Sequence, residues 1–122
     1  MVYHPAGRFA VIAMGPCEPL LLIDQQLDAA HAREFAGGTV FYFTRRDPNK
    51  QTPNEDAIAL LPVTDSAGVL VIADGCGGQA NGQAASQLAI EALAEALRDW
   101  TDPANMRAPI LDGFESAIPK HC

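Results

Sequence analysis

An α+β fold is what this sequence predicts, and three observations predict it. Strand-like apolar runs fill the chain as far as Asp74, and an alanine-rich stretch of helical spacing follows. Glycines and prolines punctuate the change between them. Strands come first and helices after, an order that suits segregated layers rather than strict alternation.

Taken in order, residues 9–14 (FAVIAM) form a short apolar run ended by Gly15-Pro16 and read as a strand. Leu20–Ile23 (LLLI) reads as a second, buried strand. Residues 24–35 are polar with scattered apolar positions and are closed by Gly37-Gly38. They are expected to form a short helix or an irregular connection. Residues 39–44 (TVFYFT) are β-branched and aromatic, hence a strand. Residues 45–53, with two prolines, Asn49 and several charges, are a loop by composition.

Residues 56–63 (DAIALLPV) read as a strand, residues 65–68 as a tight turn and residues 68–73 (GVLVIA) as a strand again. This last run is apolar on both faces, which predicts a central place in its sheet. Gly75, Gly77 and Gly78 then make a flexible loop. From Gln83 to Trp100 the positions Ala85, Leu88, Ala89, Ala92, Leu93, Ala96, Leu97 and Trp100 recur at helical spacing. Trp100 is expected to pack the end of that helix into the core. Asp102-Pro103 breaks it, and residues 109–118 start another helix that Pro119 stops.

The 122 residues suit one domain, with 48% hydrophobic and 19% charged residues, as in a folded protein with one modest core. A net charge of −7 and the lack of a basic stripe argue against a nucleic-acid partner. Cys17, Cys76 and Cys122 are scattered and form no CxxC pair, which argues against zinc ribbons and dithiol redox motifs. A reduced, cytoplasmic protein is expected. The first thirty residues lack a signal-peptide layout, and the apolar runs are too short to span a bilayer, so no membrane partner is expected. His4, His31 and His121 are isolated from one another and read as surface residues.

Two acidic motifs carry the chemistry. Asn54-Glu55-Asp56 opens one strand, and Asp74-Gly75 closes the next. If the two strands pair as a hairpin, Asp56 and Asp74 meet at the same edge of the sheet. Two carboxylates brought together repel unless a cation lies between them. Oxygen donors of this kind suit Mg²⁺ or Mn²⁺ better than zinc. The bland readings are also open: Asp-Gly is commonly a turn, and Asn before a carboxylate is commonly a loop or cap residue.

The wider pattern resembles a known family. Asn54-Glu55-Asp56-Ala57, an apolar strand, Val71-Ile72-Ala73-Asp74-Gly75-Cys76-Gly77-Gly78, then Gly82 and Ala85-Ser86 opening an alanine-rich helix, is similar to the bacterial type 2C metal-dependent serine/threonine phosphatases. Residues 110–117 (ILDGFESA) resemble that family's second helix. The resemblance implies a partial β-sandwich with helices on its outer faces, half of a four-layer α-β-β-α phosphatase fold. It implies two ions, Mg²⁺ or Mn²⁺, at one edge of the sandwich and phosphoprotein substrates. By the same resemblance Asp56 and Asp74 are catalytic metal ligands, Asp74 bridging both ions. Gly75 ligates through its carbonyl oxygen, and Glu55 contacts water at the metal. Hydrolysis of the phosphomonoester would be direct, without a phosphoenzyme.

Four departures from the family pattern stand out. Gln51 occupies the place where many bacterial members carry a phosphate-holding arginine. Lys50 and Arg46, with Arg45 beside them, are the candidates to hold substrate phosphate, against the plainer reading of a solvated loop. Cys76 follows Asp74-Gly75 and reads as space-filling rather than nucleophilic. Residues 1–38 precede the matched region, 39–118, and carry no assigned role. Family members are longer, and two further ligating aspartates have no counterpart here.

Residues 1–122 are therefore expected to be a single, truncated phosphatase-like domain, inactive alone. It is expected to self-associate through unpaired strands or to need a missing half. A non-catalytic binding or regulatory module with the same fold is the alternative. A nucleotide-binding βα unit is the third reading; it lacks a GxGxxG motif and a Walker lysine.

Overall fold

The computed structural model of the chain describes residues 2–3, 9–10, 18–75 and 81–117. Two short strands, β1 (Val2–Tyr3) and β2 (Phe9–Ala10), pair antiparallel. The expected strand over residues 9–14 begins there, and its remainder lies outside the described residues. So do Cys17, Cys76, Gly77, Gly78, Pro119, His4 and His121.

The main sheet has three antiparallel strands in the order β3 (Leu20–Ile23), β6 (Asp56–Thr64), β7 (Ala67–Asp74). Between β3 and β6 lies a separate hairpin of β4 (His31–Phe35) and β5 (Gly38–Tyr42). Two helices follow, α1 (Gly82–Ala96) and α2 (Arg107–Ala117). The α+β class read from the order of elements is the class observed.

Period-two alternation decides which face of the sheet is covered. Ala57, Ala59 and Leu61 of β6 share one face and form the core with Ile90, Leu93 and Leu97. Leu21 and Ile23 of β3, and Val69, Val71 and Ala73 of β7, pack around that cluster. Helix α1 lies across this face, and α2 packs on α1. Small alanines on β6 let the helix come close, while the leucines and Ile90 fill the gap.

The helix stops at Ala96, four residues short of the expected Trp100. Asp99 takes a left-handed φ of 58°, which turns the chain, and Trp100 still packs partly buried against the core, as expected. Its indole nitrogen donates to the Asp102 carbonyl at 2.9 Å. Pro103–Asn105 forms a short 3-10 helix opened by Asp102, whose Oδ1 accepts from the Ala104 amide.

Two expectations are corrected. Residues 24–35 are not helical: residues 24–30 are irregular, and His31–Phe35 is a strand. The turn that makes it one is Ala36-Gly37, with φ of 52° and 83°. Two consecutive positive φ angles match the twist of a tight hairpin, and glycine at the second position lowers its cost. Pairing with the aromatic strand β5 overrides the weak helical preference of HAREF.

The second correction concerns β7, which among the described residues lies at the edge of the sheet; β6 is central. Its apolar residues on the side away from α1 are open, with Leu70 59% and Ile72 79% exposed. Hydrophobicity on both faces thus marked a strand, not its position in the sheet. The central strand even carries Pro62, tolerated because the pairing register shifts between Pro62 and Thr64.

The β4–β5 hairpin meets this second face through Phe35. Phe35 is buried, and its ring covers Gly68, where an added Cβ would stand 2.8 Å from Cε1. Replacing Ile90 by alanine, which empties a fully buried position, should lower unfolding free energy by about 2–5 kcal/mol in urea titration. Ile72→Thr at the open edge should change it by only ~0.5 kcal/mol.

Candidate functional site

Strands β6 and β7 pair as the hairpin expected from sequence, and the register puts Asp56 directly opposite Asp74. The Asp56 carboxyl is pushed above its ordinary range, first by burial, then by the hydrogen bond and charge of Asp74. The charge of Glu55 adds to this, and Lys50 opposes it. A cleft of about 160 Å³ opens over the pair, and Arg46, Lys50, Glu55 and Gly75 also line it. The sequence-predicted site residues therefore come together at one place.

Asn54 holds the start of β6 in position. Its side chain is almost wholly buried and is bonded at both ends. Oδ1 accepts from the Asp56 amide at 3.1 Å, closing an Asx turn. Nδ2 donates to the Gln25 carbonyl at 2.9 Å and to Thr44 Oγ1 at 2.8 Å. The Asn54 amide donates to Asp24 Oδ1 at 3.0 Å, and Asp24 itself takes a left-handed φ of 49° just after β3. One asparagine thus joins the ends of β3, β5 and β6.

The other strand end is fixed by backbone contacts. The Glu55 carbonyl accepts from the Gly75 amide at 3.1 Å and from the hydroxyl of Ser86, a buried residue of α1. Gly75 has no room for a side chain: a Cβ there would collide with the Gly82 carbonyl and stand 2.7 Å from the Glu55 carbonyl oxygen. The glycine after Asp74 is needed for close backbone approach to the first turn of α1. Sequence reading offered Asn54 a plain loop or cap role, which its Asx turn fits, and placed Ser86 in a motif without a structural role. It missed Thr44 and Asp24, because a Thr at a strand end and an Asp after an apolar run are common turn features.

The cationic side chains sit on the loop between β5 and β6. Lys50 Nζ lies 3.5 Å from Glu55 Oε2, and the Glu55 side chain is only 9% exposed. Arg46 donates from its guanidinium to the Thr52 carbonyl at 3.5 Å and from its amide to Gln26 Oε1 at 3.0 Å. Arg45 makes a long, exposed pair with Asp28 at 3.8 Å, which contributes little.

The donor set fits a hard divalent cation in part. Two opposed carboxylates, with the Asp56 carboxyl pushed above its ordinary range by burial and by Asp74, are a favourable place for positive charge. Among the described residues, however, no group of three or more His, Cys, Asp or Glu side chains is arranged to hold a metal ion. Among the same residues, no helix is long and apolar enough to cross a membrane.

The repulsion has a measurable consequence. A carboxyl raised in the folded state adds stability below the unfolded value, near 3.8, and that stability is lost as pH rises through the raised value. In chelator, Asp74→Asn should therefore melt higher than the parent at neutral pH. The gap in melting temperature should shrink toward pH 3.8 and should also close when Mn²⁺ stabilises the parent.

The protein-family model described as Protein phosphatase 2C matches residues 45–122. No curated protein and no solved structure matches the chain.

Proposed function

We propose, for a chain that belongs to the protein phosphatase 2C family, that the carboxylate cleft takes part in metal-dependent hydrolysis of phosphoserine and phosphothreonine esters in proteins. The observation that carries this reading is the direct opposition of Asp56 and Asp74 at the mouth of a cleft that Lys50 and Arg46 also line.

Asp56 and Asp74 are the side chains that would hold Mg²⁺ or Mn²⁺, with the Gly75 carbonyl and Glu55 as supplementary oxygen donors. Such ions, when bound, supply an acidified water and neutralise charge that develops on the phosphoryl group. The protein's own contribution is placement. Asn54 and Ser86 hold Asp56 and the Glu55 backbone still, and Gly75 seats Asp74 against α1. Lys50 and Arg46 would hold the non-bridging phosphate oxygens through charge-assisted hydrogen bonds. Lys50 is engaged by Glu55 beforehand, so phosphate would share or displace that contact.

One observation favours a second reading, a non-catalytic binding or regulatory module. Among the described residues the two opposed aspartates are not joined by a third grouped metal-type side chain. The chain by itself is accordingly expected to bind Mn²⁺ while hydrolysing p-nitrophenyl phosphate near background.

The test is Mn²⁺ titration followed by electron paramagnetic resonance, with p-nitrophenyl phosphate turnover measured in parallel. Mn²⁺ binding that weakens by at least about tenfold in Asp74→Asn supports the metal-site reading, since one charged ligand is lost. Mn²⁺-dependent turnover, abolished in the same variant, would extend it to catalysis by this chain. Binding of no ion at all would leave the module reading in its place.

A further inference from the structure

The loop from Thr44 to Asn54 carries the cations that line the carboxylate cleft, Arg45, Arg46 and Lys50. Its two ends are joined inside the protein. Asn54 Nδ2 donates to Thr44 Oγ1 at 2.8 Å, and the two residues are 2% and 6% exposed. The Thr44 carbonyl in turn accepts from the Leu27 amide at 3.0 Å, and Asn54 Nδ2 also donates to the Gln25 carbonyl. Both hydrogens of the Asn54 amide group are therefore in use, and the base of the loop is tied to residues 25–27. Farther out the ties are looser: Arg46 reaches Thr52 at 3.5 Å, and Arg45 meets Asp28 at 3.8 Å in the open.

We propose that Thr44 and Asn54 are positioning residues whose buried clasp holds the cationic loop over the Asp56–Asp74 pair, so that breaking it weakens phosphate binding and spares metal binding. The phosphate half of this inference rests on the reading of the cleft as a phosphate site; the clasp itself does not. Asn54 serves the two halves of the cleft with different atoms. Its Oδ1 orients the Asp56 amide, and its Nδ2 closes the loop. Removing only the Thr44 hydroxyl therefore separates them. The substitution leaves a buried amide hydrogen unmatched, a loss of the order that changes an equilibrium about tenfold. The loop, released at its base, then gains the conformational freedom that the clasp had removed.

Thr44→Val keeps the shape and deletes the acceptor, and Thr44→Ser restores it. The first measurement is limited trypsin digestion of the full chain, read by mass spectrometry. Cleavage after Arg45, Arg46 and Lys50 should quicken about tenfold in Thr44→Val, with cleavage after Arg98 and Arg107 unchanged and Thr44→Ser like the parent. Equal cleavage in the valine variant, or faster cleavage at all five sites together, overturns the clasp.

The second measurement is calorimetric binding of inorganic phosphate in saturating Mn²⁺, beside Mn²⁺ affinity alone. Phosphate affinity should fall about tenfold in Thr44→Val while Mn²⁺ affinity holds. A loosened loop with unchanged phosphate affinity overturns the link between clasp and phosphate. A parent chain that binds Mn²⁺ but no phosphate overturns the reading of the cleft, and the digestion still decides the clasp.

Discussion

An antiparallel pair, once its register is set, fixes which residue faces which, and that constraint organises the chain around one hairpin. Once β6 and β7 zip back from the turn at Thr64–Ala67, the shift of register between Pro62 and Thr64 brings Asp56, rather than its neighbours, against Asp74. The opposition is electrostatically unfavourable, and the hairpin persists because the apolar residues on one of its faces, Ala57, Ala59 and Leu61 with Val69, Val71 and Ala73 around them, pack under α1. Strain of charge at one end of the hairpin is thus balanced by hydrophobic burial along its length.

Everything near the pair then acts to keep its geometry. Asn54 gathers the ends of β3 and β5 to the start of β6, and Ser86 ties the Glu55 backbone to α1. These bonds are buried or nearly so, where an unmade hydrogen bond is costly, so the arrangement resists drift. The surface pairs among Arg45, Asp28, Arg98 and Glu95 are exposed and contribute little by comparison.

Much of this was legible in the sequence. Alternation and helical spacing marked β3, β5, β6, β7, α1 and α2, and turn residues marked the hairpin that joins the two aspartates. What could not be read was set by contacts between distant segments. His31–Phe35 looks helical alone and becomes a strand only through β5. The place of β7 at the edge depends on which strands join the sheet, and composition does not carry that information. The side-chain bonds of Asn54 span up to thirty residues, so its importance exceeds what its motif suggests.

Two glycines, both forced by crowding, differ in how the chain could change over evolutionary time. At Gly68 the obstacle is chiefly the ring of Phe35, a side chain, so a larger residue there could be accommodated if position 35 shrank. Those two positions should vary together among relatives. At Gly75 the obstacles are the backbones of Gly82 and Glu55, which no substitution removes. Position 75 therefore has no compensating partner, and the end of the hairpin that bears Asp74 should be the part of this chain slowest to diverge.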